Sequence, residues 1–433
     1  MAGPVASILG RFSRTARPAA AALEVMRLSL FDWAACALAG QGEPVAGVVR
    51  RLALAEGGAP QATVAGAGRR GPARAAALVN GTTSHALDYD DTHFAHIGHP
   101  SVAVIPAALA MAEREGCDGE EMLAAALIGA EASVRVGVWL GRAHYQAGFH
   151  QTATAGTFGA TLAAARLAGL SQERTAHALG LAATRASGLK SQFGTMGKPF
   201  NAGIAAANGV EAALLAAAGM VSNPGALDGA QGFGPSHAGE GLGQAWAGLG
   251  ESWLMEEVSH KFHACCHGLH AALEATAALR ARAAGEEVAR LTIATHPRWL
   301  PVCNIAEPAT GLEAKFSYRL TAAMALAGRD TAAVATFTDG ACRDPELVAL
   351  RDRVRVGADP ALPETAARVT LRLADGRELC ATHDLLAPME PREKTARLRA
   401  KAEALLGPDL AARLWAAIHP QVDPAALGRL LSG

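Results

Sequence analysis

Seventeen residues, HALDYDDTHFAHIGHPS at 85–101, hold four histidines and three aspartates in a chain of which only 18% is charged. Such a cluster can ligate a metal, move protons, or line a polar loop. His93, His96 and His99 lie three apart beside Asp88, Asp90 and Asp91, donors that zinc or iron accepts. Yet the run contains Gly98 and meets Pro100, so these histidines share no regular helix face. No H-E-x-x-H motif and no cysteine trio accompanies them, and adjacent Cys265 and Cys266 cannot easily ligate one ion with both thiolates. The residues favour proton transfer over a metal.

A second cluster, SHKFHACCHGLHAALEA at 259–275, holds His260, Lys261, His263, His267 and His270. Lysine supplies charge to an anion and histidine titrates near neutral pH, which suits carboxylate binding with proton transfer. A polar domain junction would use the same residues. In GFHQTATAGTFGA, His150 precedes a helix start, with Thr152 and Thr154 as expected caps. In GTMGKPFNAGIAAANG, Lys198 projects from a loop-to-helix junction just before Pro199. Each of these is ordinary alone; together they describe a site.

The elements that must position them are mostly helical. From about 20 to 218 apolar residues recur at three- and four-residue spacing, and glycine closes segment after segment, as Gly40 does. Alanine and glycine dominate the apolar positions, which predicts closely packed helices. Residues 219–250 are Gly- and Ser-rich without periodicity and read as a long loop. VARLTIATHP then reads as a strand, and ARVTLRLADGRELCATHDLL as a hairpin turning on Asp375-Gly376. The expected fold is mainly α with an α/β insertion: a large helical domain, 1–257 and 392–433, and a smaller α/β domain, 258–391.

Composition narrows the partners. The 433 residues carry a formal net charge of −1 and no basic block with interleaved aromatics, which argues against nucleic acid. No apolar run reaches the ~18–20 residues of a spanning helix, so no membrane is expected. The seven scattered cysteines include no C-x-x-C pair and suit a reducing cytoplasm. Sparse charge suggests surface buried between subunits. The first 22 residues have three arginines and no acid, and read either as a surface helix or as a transit-like segment.

Six segments in order, HALDYDDTH…HPS, GFHQTATAGTFGA, GTMGKPFNAGIAAANGVEAALLA, GALDGAQGF, HKFHACCHGLHAALEA and TGLEAKFSY, resemble the signatures of the MmgE/PrpD family. That family includes 2-methylcitrate dehydratases, cis-aconitate decarboxylases and an iminodisuccinate epimerase. The resemblance implies a helical domain with an α/β lid, a homodimer, an active site in the cleft between domains, and neither metal nor organic cofactor. It implies a small di- or tricarboxylate substrate and a reaction that begins by removing a proton alpha to a carboxylate.

Residue by residue, Asp88 and Thr92 match the family's D-x-D-D-T segment and His99 its H-P-S. His150 matches the histidine before the small-residue helix, and Lys198 the lysine of G-T-x-x-K. Lys261 matches the lysine opening the lid, and Tyr318 of KFSY an active-site tyrosine of the decarboxylase branch. The resemblance makes these the catalytic candidates, with His150 or His99 as base and Lys198 or Lys261 stabilising the developing dianion. Thr92, His263, Cys266 and His267 are the candidate substrate contacts.

Two departures bear on the reaction. Many members read K-P-Y-P-C-C-R where this chain has KFHACCH, so His267 replaces an arginine and His263 an aromatic. Histidine cannot clamp a carboxylate in the bidentate way of arginine. Cys266 stands where the decarboxylase branch has histidine, which makes decarboxylation the least favoured activity. A 2-methylcitrate dehydratase-like lyase is expected first, then an epimerase with His263 or His267 as second base. A non-catalytic binding scaffold would not need both lysines and both histidines.

Overall fold

The computed structural model describes residues 4–223, 225–283 and 285–433. Met1–Gly3, part of the arginine-rich start, lie outside the described residues. The chain divides into two compact units, Met1–His260 with Leu406–Gly433 and Lys261–Leu405. The helix Pro391–Leu406 thus falls almost wholly in the second unit, where Arg397 stacks over Phe262 and pairs with Glu274.

In the first unit the helix Gln151–Leu167 is buried from Gln151 to Ala165, on every face. Helices Pro100–Glu115, Gly119–Gln146 and Gly197–Ala217 pack around it. A helix buried on all sides carries no amphipathic stripe, so its apolar composition and small residues define it. Its buried threonines bond back to the preceding turn: Thr157 donates to the Ala153 carbonyl and Thr161 to that of Thr157. Glycine is required where Gly129 and Gly159 cross. A Cβ on Gly129 would lie 2.6 Å from the Gly159 carbonyl oxygen, inside any real contact.

Two of these helices, Gly119–Gln146 and Gly197–Ala217, are long and apolar enough to cross a membrane. Their apolar stretches are 89% and 67% buried, as in the core helices of a folded domain. The N-terminal helix Pro4–Thr15 likewise buries a face, with Leu9 fully covered, so it is more than a surface helix. The expected loop after residue 219 is mostly irregular, but its end is pinned. Buried Arg135 donates to the carbonyls of Ala245, Ala247 and Ser252, while Glu131 accepts from Leu254 and Met255 N–H.

The second unit is built on a four-stranded mixed sheet in the order Val354–Ala358, Val288–Thr295, Ala366–Leu373, Glu378–Asp384. The last two form the expected hairpin, with Gly376 at φ +90° in its turn. Helix His270–Ala283 packs against this sheet.

Candidate active site

Three long helices of the first unit begin where the first cluster lies. His99 is the N-cap of Pro100–Glu115, His150 the N-cap of Gln151–Leu167, and Lys198 lies in the first turn of Gly197–Ala217. Proline at the first helical position preorganises the start after His99. Neither histidine caps its helix with its side chain. Thr152 does not cap its own helix: its hydroxyl accepts from the His99 N–H at 3.0 Å and ties two helix starts together. Thr154 instead pairs with His144 at 2.9 Å. Helix N-termini favour anions, and three of them flank a lysine here.

The loop before His99 turns sharply to bring its acids inward. Asp88 sits at φ +52° and Ile97 at φ +53°, backbone that costs strain in a β-branched residue. Asp88 holds the Lys198 ammonium at 2.5 Å and lies 3.5 Å from His99 Nε2. Asp90, fully buried, faces His85 Nδ1 at 2.8 Å and His99 Nδ1 at 2.7 Å. Burial alone would raise the Asp90 carboxyl, but His85 and His99 outweigh it and hold it well below the usual range.

His150 accepts at Nδ1 from the Asn201 amide, 3.2 Å away, and its ring lies edge-on to Phe193 with centroids 4.9 Å apart. Burial, then the Lys198 charge, pushes its pKa well below the ordinary histidine value, so it is neutral. The arrangement therefore combines a fixed cation, a neutral imidazole and a carboxylate-backed imidazole.

Asp91 points the other way. Its carboxyl accepts from the Ser101 hydroxyl at 2.5 Å, and burial, helped by Asp32 and Asp90, pushes its pKa up to about 7. His96 is buried with neither ring nitrogen paired among the described residues, and burial pushes it down to about 3. His93 bonds the Leu254 carbonyl. The three evenly spaced histidines thus do three different things, and only His99 reaches the site.

His85, Asp88, Asp90 and His99 each bring one ligand atom within 4.8 Å of the others, a set whose donor types zinc or iron would accept. The geometry does not suit an ion. Asp90 is engaged by two imidazole nitrogens, Asp88 by Lys198, and a fixed ammonium beside the site would repel a dication. Activity should survive exhaustive chelation; loss with EDTA, restored by one divalent ion, would overturn this.

Thr92 is held by backbone bonds to Ser259 on both sides. The remaining candidates lie in the second unit. Lys261 is buried, as is His267, whose ring lies 4.7 Å from that of His270. Cys303 Sγ lies 3.2 Å from Cys266 Sγ. Two of these candidates have their polar atoms engaged within the unit. His263 has both nitrogens engaged, Nδ1 with Thr331 at 2.7 Å and Nε2 with Glu274 at 3.1 Å. Burial raises Glu274, but His263 and Arg397 outweigh it and hold it at about 2. Both ring nitrogens of His263 thus have partners within the second unit. Tyr318 is buried and donates to the Gly268 carbonyl at 2.6 Å, with burial raising its pKa further. Its proton is committed to holding the backbone beside His267.

Sequence reasoning singled out His99, His150, Lys198 and Asp88 but not their supports His85, Asp90 and Asn201. Asn201 lies three residues after Lys198, on the same helical face, which was a usable signal.

Residues 11–242 match the MmgE/PrpD N-terminal domain and residues 263–419 the MmgE/PrpD C-terminal domain. The chain is 26% identical over 388 residues to the cis-aconitate decarboxylase of Mus musculus, covering 84% of this chain and 79% of that protein. The Homo sapiens cis-aconitate decarboxylase is 36% identical over 172 residues, a match spanning 39% of this chain and only 36% of the human protein. That of Aspergillus terreus is 30% identical over 275 residues, covering 60% of this chain and 56% of its own length.

Proposed function

The chain belongs to the MmgE/PrpD family, and from that premise we propose that it is a lyase acting on a small di- or tricarboxylate by proton transfer at the carbon alpha to a carboxylate. One observation carries the reading: Lys198, Asp88, His99 and His150 converge where three helices begin. A carbanion beside a carboxylate is very costly in water. A fixed ammonium and a hydrogen-bond donor aimed at that carboxylate lower the cost where charge develops. Asp88 keeps Lys198 in place until a substrate carboxylate competes for it.

Thr92, Cys266 and His267 stay in the proposal as substrate contacts, and Lys261 as a catalytic residue. His263 and Tyr318 leave it, because their polar atoms are already spent. We place dehydration first: abstraction of the alpha proton, then departure of a β-hydroxyl as water. The loss of His263 as a second base weakens epimerisation, which needs two bases flanking one carbon. Decarboxylation is the second reading, supported by the names of the relatives and opposed by Cys266. A homodimer in the cytoplasm belongs to the same proposal.

The test is a panel of methylcitrate, citrate, cis-aconitate and iminodisuccinate in deuterium oxide, followed by NMR. Dehydration predicts a new alkene with loss of the alpha proton. Deuterium in recovered substrate and its stereoisomer, without alkene, would mean epimerase, and carbon dioxide release would mean decarboxylase. A substrate dehydrated with its alpha carbon–hydrogen bond intact would end the proposed mechanism.

A further inference from the structure

We propose that Asp90 and Asn201 are positioning residues that set opposite tautomers on the two site histidines, making His99 the base and His150 a neutral donor. This rests on the reading of the site given above and deepens it. Asp90 is a buried carboxylate, so it can only accept. It faces the Nδ1 of both His85 and His99, at 2.8 and 2.7 Å, and therefore draws the proton of each ring to Nδ1. Each Nε2 is then left without the ring proton. That of His85 is buried and has no partner among the described residues. That of His99 lies 3.5 Å from Asp88 Oδ1, while the other Asp88 oxygen is held by Lys198. The His99 Nε2 is therefore the one on the partly exposed side of the cluster, where a substrate proton can reach it.

His150 is set the other way. The Asn201 amide nitrogen lies 3.2 Å from His150 Nδ1 and 3.3 Å from the Leu189 carbonyl oxygen. A carbonyl only accepts, so Leu189 identifies that end of the amide as the donor. With Nδ1 accepting, the single proton of this neutral ring must sit on Nε2. An imidazole held neutral can still donate a hydrogen bond to a developing oxyanion.

In the first step the alpha proton passes to His99 Nε2, and the electron pair of the carbon–hydrogen bond moves onto the substrate carboxylate. The imidazolium that forms is stabilised by Asp90, and the new negative charge meets Lys198 and the His150 N–H. The charged and titratable groups around His99 in this unit are Asp88, Asp90, His85, His96, His150 and Lys198. A carboxylate on one imidazole and an amide on the other divide labour between two rings of the same type.

Tautomers are read directly on the full chain labelled with ¹⁵N-histidine, by two-bond proton–nitrogen correlation at pH 8, with no substrate needed. We expect His99 protonated at Nδ1 alone and His150 at Nε2 alone. Asn201→Asp, whose carboxylate only accepts, should switch His150 to Nδ1–H and lower kcat about 100-fold with a smaller change in KM. Asp90→Asn cannot accept from two rings, so it should release His85 or His99 from the Nδ1–H form. A wild-type His99 carrying its proton on Nε2, or on both nitrogens, would overturn the assignment, and so would an unswitched His150 in Asn201→Asp. These readings stand whichever acid turns over; failure of every carboxylate in the panel would sink the functional reading instead.

Discussion

Alanine at Lys198 or at His150 should lower turnover by about two orders of magnitude or more, the scale for a positioned electrostatic or acid–base group. Lys198→Ala removes the fixed cation and leaves Asp88, which now holds it at 2.5 Å, facing a substrate of its own sign. His150→Ala removes the neutral donor and the ring that packs edge-on to Phe193. His177→Ala is the control. That ring, on the helix Gln172–Arg185, accepts a hydrogen bond from the Ser222 N–H and touches none of the site residues. Thermal melts would separate loss of folding from loss of chemistry. Similar turnover in all three variants would show that the constellation has been misassigned.

The second large effect is on stability. Asp91 keeps its proton in the folded chain up to about pH 7, whereas the same group titrates near 3.8 when unfolded. Between those values the unfolded chain binds fewer protons than the folded one, so stability falls as pH rises and levels off above pH 7. The full change is on the order of 4 kcal/mol, of which about 2–3 kcal/mol falls between pH 5 and pH 8. The buried neutral rings of His96 and His150 act in the opposite direction at acid pH, so wild type alone would show a blurred slope. Asp91→Asn removes only the Asp91 contribution. Relative to wild type, this variant should gain that 2–3 kcal/mol between pH 5 and pH 8 in urea unfolding. Parallel stability curves would mean that Asp91 is ionised in the folded protein.

Much of this was legible in the residues. The alternation around Asp375-Gly376 marked the hairpin, and small residues marked helices that pack closely. What could not be read was direction. Asp88, Asp90 and Asp91 look interchangeable in sequence. The left-handed turn at Asp88 sends one to Lys198, one to two histidines and one to Ser101. The spacing of His93, His96 and His99 suggested a shared task, but burial separates them. His263 offered itself as a spare base because its partners, Glu274 and Thr331, come from 11 and 68 residues along the chain. Those pairings depend on tertiary structure, which short-range pattern does not encode.

The crossing of Gly129 and Gly159 has an evolutionary consequence. Each added methyl group there would push one helix off another, and those helices carry or adjoin the starts at His99 and His150. Selection against such substitutions protects the chemistry without touching it. The routes open to drift are therefore the exposed stretches, such as the segment with Leu189, Phe193 and Met196 that leads into Lys198. Changes in that stretch would alter what surrounds His150, whose ring packs edge-on to Phe193, while the helices stayed still.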